Sequence, residues 1–400
     1  MNILSISTMF PSKADPIFGI FVKRRLLALS KYANITVIAP QPYFPFITLL
    51  EKYKIRKSIP THETINESME AFYPRFFSIP YFLKPLDGIF MFISLFFFIN
   101  KLKKKGFRFD LIDAHIAYPD GFCAVLLKKF FRIPVTITLR GHDVNYLVKY
   151  PIRIKQVVYA LNRADKVFAV SNALRLQAGT LGINLKNIIP ATNGVDCDIF
   201  YQKDKKELKI KYDVPLKKKV ILSIGYLVPR KGFDLIINAL GLIRRYYKKR
   251  NIMLIIIGGR GGETYIKPKL EAQVKKLKLE NNVMFVDQMS NEELVDWYNM
   301  ADVFCLASSH EGWPNVILES IACEVPVVAT NVWGIPEIIG NDKNLGFLVE
   351  RNARKIAEAL NEALDKKWDI NYLRKFAESK SWDKTAKLLQ TEMQKLIKGS

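Results

Sequence analysis

Two glutamates, Glu311 and Glu319, stand eight residues apart in the segment Ser308-Ser309-His310-Glu311-Gly312-Trp313-Pro314-Asn315-Val316-Ile317-Leu318-Glu319. The first lies in a Gly/Pro loop. The second lies in an apolar run that continues to Ala322 and reads as a helix facing a core. Pro314 suits the first turn of that helix, where a missing N–H costs nothing. A helix start offers backbone N–H groups and a positive dipole end, which is a place for a phosphate. Glu311 sits ahead of that end and Glu319 about a turn inside it. A ligand with a diphosphate in its middle and hydroxyls at both ends would satisfy both acids.

About 80 residues earlier runs Ser223-Ile224-Gly225-Tyr226-Leu227-Val228-Pro229-Arg230-Lys231-Gly232. A strand ends, a loop turns, and Gly232 leads into a helix. Arg230 and Lys231 at a strand's carboxyl end can hold a diphosphate and stabilise charge that grows as it leaves. The charge map supports a division of labour. Residues 201–250 hold 15 Lys/Arg against 4 Asp/Glu, whereas residues 301–350 hold 1 against 7. The acids are expected to face neutral hydroxyls while the cations meet phosphates. A nucleotide-sugar has that chemistry.

The first half offers weaker signals. The loop Thr8–Gly19 follows the first strand, and Gly19 permits close backbone approach to a ligand. Tyr118-Pro119-Asp120-Gly121 follows a strand and His115. Arg140-Gly141-His142-Asp143 follows another, so that His142 and Asp143 are placed for hydrogen bonds to sugar hydroxyls or for proton transfer. The alternative is a loop-capping Asp beside an exposed His. Gly258-Gly259-Arg260-Gly261-Gly262 does not match Gly-x-Gly-x-x-Gly and is poor support for NAD.

Short apolar strands alternate with amphipathic helices along the whole chain. One series comprises Ile3–Ser7, Ile35–Ala39, Leu111–Ala114, Val135–Thr138 and Val167–Val170. The other comprises Val220–Ile224, Leu254–Ile257, Val283–Val286, Val303–Ala307 and Val327–Thr330. This predicts βαβ units with parallel sheets in two α/β domains. The expected boundaries are 1–200, 201–382 and a final helix 383–400 that could return to the first domain. The polar, Lys-rich stretch Tyr201–Lys219 is the expected hinge.

The composition, 49% hydrophobic and 25% charged over 400 residues, excludes a disordered chain. The four cysteines are scattered, which argues against structural zinc and fits a reducing compartment. The start reads as a strand and not a signal peptide. A net charge of +23 implies an anionic partner. The site segment lacks the interleaved basic and aromatic residues of a nucleic-acid surface, so no nucleic-acid partner is expected. The run Ile89–Ile99, eleven residues followed by Asn100-Lys101-Leu102-Lys103-Lys104-Lys105, is too short to span a bilayer. It reads as a buried core helix or a helix lying on a membrane, and the aromatic stretch Phe72–Phe82 and the basic flank favour the second.

Glu311 to Glu319, then Ala322-Cys323-Glu324-Val325-Pro326-Val327-Val328-Ala329-Thr330 and Gly334-Ile335-Pro336-Glu337, resemble retaining family-4 glycosyltransferases of the GT-B fold. Gly225 to Gly232, Val170-Ser171-Asn172, Asn193-Gly194-Val195-Asp196 and the Gly19 loop match the same family. The resemblance implies two Rossmann-like domains facing across a cleft and a retaining, metal-independent hexosyltransferase without a separate cofactor. Glu319 would bind the nucleotide ribose and Glu311 would lie by the donor sugar. Lys231 and Arg230 would take the diphosphate, with Gly312 and the backbone near Asn315 and Val316 adding contacts. The implied partners are a UDP- or GDP-linked sugar, a growing and lipid-linked glycan of the cell-surface polysaccharide type, and an anionic membrane touched from the cytoplasmic side. The rival readings are a nucleotide-sugar epimerase of the same fold and a non-catalytic membrane- or glycan-binding homologue. Two positions depart from the family. Tyr226 stands where Arg is frequent, which would pass the second cation to Arg230 or have the donor held differently. Arg140 stands where His is frequent.

Overall fold

The computed structural model describes residues 1–45, 58–79, 83–248 and 251–399. The chain forms two compact units, Met1–Asn193 with Trp382–Ser400, and Gly194–Ser381. The division therefore falls ahead of the 200/201 boundary read from the Lys-rich stretch. Residues 194–200 are held by the second unit. Val195 N–H donates to the Lys380 carbonyl, and the Arg374 guanidinium donates to the carbonyls of Cys197 and Phe200. Phe200 is fully buried against Tyr298.

The strands of the first unit are β1 (Asn2–Ile6), β2 (Asn34–Ile38), β3 (Gln41–Tyr43), β4 (His62–Asn66), β5 (Met69–Phe72), β6 (Arg75–Phe77), β7 (Leu111–Ala114), β8 (Val135–Leu139), β9 (Lys166–Ala169) and β10 (Ile188–Pro190). Eight of them form one sheet in the order β10-β9-β8-β7-β1-β2-β5-β4, while β3 pairs with β6. The large sheet is parallel except for β4, which runs antiparallel to β5. Every residue of β7 and β8 is buried, as expected of parallel strands covered on both faces.

The second unit carries β11 (Lys219–Ile224), β12 (Ile252–Ile257), β13 (Val283–Val286), β14 (Val303–Leu306), β15 (Val327–Thr330) and β16 (Gly346–Val349) in the order β13-β12-β11-β14-β15-β16. All its pairs are parallel. Among the parallel strands the order reverses beside β1 in the first unit and beside β11 in the second. Connections leaving the two central strands diverge at that point and open a crevice at their carboxyl ends.

The final helix, Trp382–Lys398, belongs to the first unit. Trp382, Ala386, Leu389 and Met393 recur at helical spacing and join the core that holds Ile3, Leu26 and Leu29. Thr385 Oγ1 donates to the Thr192 carbonyl at 2.7 Å, and Tyr32 to Asp383 at 2.6 Å.

Three further helices matter below: α1 (Ile20–Leu29), α2 (Asp87–Lys104) and α3 (Phe122–Phe131). The apolar run 89–99 is only the middle of α2. With its leading turn the helix covers Lys84–Lys104, 21 residues, which is long and apolar enough to cross a membrane by length and composition alone. This corrects the length argument made from the run itself. Met91, Leu95, Ile99 and Leu102 are nevertheless buried within the unit, so one face of α2 is already committed to protein.

Candidate functional site

The crevice of the second unit lies between the ends of β11 and β14, and the residues read as phosphate- and sugar-binding converge there. The loop after β11 brings Lys231 and the loop after β14 brings Glu311. Lys231 Nζ lies 2.5 Å from Glu311 Oε1, and Arg230 Nη1 lies 3.7 Å from the same oxygen. Ser308 Oγ donates to it at 2.7 Å. Burial opposes ionisation of Glu311, but the charges of Lys231 and Arg230 outweigh it and hold the carboxyl below the ordinary glutamate range. Glu311 is the counter-ion of both cations, with all three contacts on Oε1.

Backbone contacts hold this arrangement. Ser309 N–H donates to the Arg230 carbonyl, Gly334 N–H to the Glu311 carbonyl, and Thr330 Oγ1 to the Ser308 carbonyl. Gly232 begins the helix Phe233–Tyr246 with φ near 69°, and a Cβ there would lie 2.2 Å from the Ala307 carbonyl oxygen. Only glycine lets the β11 loop press so closely on the end of β14. Arg230 also pairs with Glu263 at 3.0 Å and donates to the His310 carbonyl at 3.1 Å. Glu263 follows the glycine-rich loop and was not singled out from sequence. Tyr226 packs against Gly261 in that loop, and Arg230 and Lys231 both lie within 4 Å of Glu311 Oε1.

Glu319 lies on the helix Asn315–Ala322 and is 7% exposed. Tyr298 OH donates to its Oε2 at 3.0 Å and Asn291 Nδ2 to its Oε1 at 3.3 Å. The carboxylate is thereby oriented by the helix Asn291–Met300. Pro314 is the cap residue, one place before the first helical residue, Asn315. Proline offers no side-chain acceptor for the amides of this first turn, which includes Asn315 and Val316. Gly312 stands in the loop between Glu311 and that turn.

The crevice of the first unit is more polar than its sequence suggested. Beside β1 and β7, His115 is fully buried. Its Nδ1 lies 2.8 Å from Arg140 Nη2, and its Nε2 lies 3.0 Å from Ser5 Oγ and 3.3 Å from Asp113 Oδ2. A guanidinium can only donate, so Nδ1 accepts and the ring's proton sits on Nε2. Burial, with help from Arg140 and Arg25, lowers the His115 pKa well below 6.5. Arg25, also buried, donates to the Ala191 carbonyl and to Thr138. Arg140 further bonds Asn193 and stacks over Phe21. Sequence reading singled out none of Arg25, His115 and Asp113 as members of this buried network. The signal was partial: His115 directly follows a fully buried strand, β7, whose place beside β1 only the sheet order reveals.

The His142/Asp143 expectation is corrected. Asp143 is fully buried, and its carboxylate accepts the amides of Ala117, Arg140, Gly141 and Val144. Spent on four N–H groups, it shapes the loop and is not placed for proton transfer. His142 is exposed, with its ring against Tyr146. Gly19 caps α1 with φ near 70°, and a Cβ there would lie 2.3 Å from the Met9 carbonyl. The close approach it permits is to its own loop. Asp120, from the Tyr-Pro-Asp-Gly motif, accepts the Thr8 amide at 3.0 Å, and burial raises its pKa to about 7. Among the described residues no group of three or more His, Cys, Asp or Glu stands together as metal ligands.

Comparison with known proteins agrees with this architecture. Residues 204–381 match the family described as glycosyl transferases group 1, and residues 61–199 match glycosyltransferase family 4. TuaC of Bacillus subtilis, a glycosyltransferase named for teichuronic acid biosynthesis, is 27% identical over 90% of this chain and 88% of its own. The uncharacterised glycosyltransferase MJ1178 of Methanocaldococcus jannaschii is 30% identical over 87% of this chain and 95% of its own. Sucrose-phosphate synthase from Thermosynechococcus elongatus superposes with a TM-score of 0.80 at 18% identity, covering 100% of both chains. Anabaena HepE in complex with UDP gives 0.74 at 20% identity, covering 99% of this chain and 100% of that one. The chain belongs to the family-4, group 1 glycosyltransferases and has the GT-B fold.

Proposed function

We propose that the chain transfers a sugar from a UDP- or GDP-linked donor to a growing, lipid-linked glycan at the inner face of the cytoplasmic membrane, with retention at the anomeric carbon. The observation that carries the donor assignment is the Lys231–Glu311 contact, with Arg230 beside it, at the strand-order reversal of the second unit. Lys231 and Arg230 exchange their carboxylate partner for the donor's diphosphate, and Glu319 accepts a ribose hydroxyl. Release of Lys231 leaves the Glu311 carboxylate beside the sugar. The C1–O bond to phosphate breaks as the C1–O bond to the acceptor forms on the same face. The acceptor's proton passes to the departing phosphate oxygen, and the nucleoside diphosphate leaves with its charge held by the two cations. The glycan acceptor is supported by the TuaC name, and its lipid link by the apolar surface described below.

Titration calorimetry with UDP and GDP tests the site. Lys231→Ala should weaken the preferred nucleotide about 10- to 100-fold, the loss of one charged hydrogen bond of about 1.5–3 kcal/mol. Glu311→Gln should bind it as tightly or more tightly, because a competing counter-ion is gone, while sugar transfer falls. Unchanged affinity in Lys231→Ala would remove the assignment. Proton NMR of the product reads the anomeric configuration, and inversion would overturn the mechanism. A donor altered without any acceptor would favour an epimerase instead.

A further inference from the structure

The helix α2 has two opposed faces. Met91, Leu95, Ile99 and Leu102 form one stripe and are buried within the unit. Ile89, Ile93 and Phe97 form another, four residues apart and about half a turn round, and are 39%, 47% and 68% exposed. An exposed Phe and two exposed Ile in one row are unusual on a soluble helix, whose outer face is normally polar. The apolar surface continues onto α3, where Phe130, 59% exposed, packs on Phe92 and Phe96 at 5.5 and 5.2 Å.

The exposed charge that α2 itself carries beside this ridge has one sign. Past the ridge, Lys101, Lys103, Lys104 and Lys105 are all exposed. From residue 83 to 109 the only acid before that cluster is Asp87, which is buried and paired with Lys84. On α3, Lys128, Lys129 and Arg132 line a cavity of about 620 Å³ together with Arg163 and Lys395, and Asp165 pairs with Lys128 there at 2.7 Å. An apolar ridge bordered by cations matches a bilayer surface, where acyl chains lie beneath anionic headgroups. It does not match a spanning helix, because crossing the bilayer would pull the 91-95-99-102 stripe out of the unit's core.

We infer that α2 lies along an anionic lipid surface, with Ile89, Ile93, Phe97 and Phe130 entering the acyl boundary and Lys101, Lys104 and Lys105 holding headgroup phosphates. This deepens the proposed function by naming the surface from which a lipid-linked acceptor is met.

Vesicle flotation tests it with the full-length protein, using phosphatidylcholine alone and phosphatidylcholine with phosphatidylglycerol. The wild type should float with the anionic vesicles only, and less as salt rises. Ile93→Ser with Phe97→Ser should cut binding at least about tenfold. Lys101→Gln with Lys104→Gln and Lys105→Gln should cut it about fivefold per lysine at low salt. All these side chains are exposed, so circular dichroism and the thermal midpoint should not move in either variant. Equal flotation of wild type and variants would overturn the placement on α2. Equal binding to neutral vesicles would overturn the anionic partner, and no flotation of the folded wild type would overturn the surface itself. Self-association lost in Ile93→Ser with Phe97→Ser, without vesicle binding, would assign the ridge to a second copy. UDP binding measured without lipid reports on the donor site separately, so the two readings fail independently.

Discussion

Asp120 shows how a side chain's surroundings change its meaning. An Asp in a Tyr-Pro-Asp-Gly turn would ordinarily be solvated. Here it is fully buried, its pKa is about 7 against an ordinary 3.8, and the Thr8 amide only partly offsets the burial. The folded protein therefore binds this proton more tightly than the unfolded chain. The contribution to stability is fully present below pH 3.8 and is lost as pH rises to about 7. Asp120→Asn, which does not titrate, should remove that slope. The stability difference between variant and wild type should grow in the variant's favour by of order 4 kcal/mol between pH 4 and 7. Denaturant unfolding across that range checks it. The difference isolates Asp120 from His115, whose lowered pKa gives a slope of the opposite sign. Sequence spacing made Glu311, Glu319, Arg230 and Lys231 legible, because the loop, the helix start and the cations are each local patterns. The same logic misread Asp143. Whether a strand-end carboxylate faces a ligand or four backbone amides depends on how the loop closes, and no local pattern encodes that.

At the scale of elements, the ten strands read from apolar runs are all present, because parallel strands covered on both faces are written largely in apolar residues. The pairs β3–β6 and β4–β5 and the edge strands β10 and β16 were missed. β3, β6 and β10 have only three residues, β4 carries exposed polar positions, and β16 opens on a glycine and is only partly buried. The aromatic stretch 72–82 is described only in part, with residues 80–82 outside the described residues. The final helix gives a clean test of packing. Leu389 is fully buried in the first unit's core, whereas its neighbour Leu388 is 37% exposed. Leu389→Ala should cost about 2–5 kcal/mol. Leu388→Ala should stay within about 0.5 kcal/mol of the wild type. Thermal unfolding of both variants reads the contrast, and equal losses would mean that the helix is not docked as described.

For the whole molecule, the chain leaves the first unit near Asn193 and re-enters it at Trp382, so the second unit is an insertion in the first. A ligand held by Lys231, Glu311 and Glu319 should therefore act mainly on the second unit. UDP at 100 times its Kd should stabilise that unit by about 2.7 kcal/mol. Hydrogen exchange should slow most in residues 225–232 and 308–319, and protection confined to the first unit would contradict the site. The sequence alone determined the two series of buried parallel strands, the loop and helix start that carry Glu311 and Glu319, and the basic character of the chain. Those follow from hydrophobic period, glycine and proline placement, and charge counts, which are properties of neighbouring residues. Only the tertiary structure decided that Lys231 meets Glu311 across 80 residues, that His115 and Arg140 join in one buried network, and that α2 keeps an apolar face outward. Each of those depends on which strand ends lie side by side and which helix face the core has already taken, so each is settled by long-range packing.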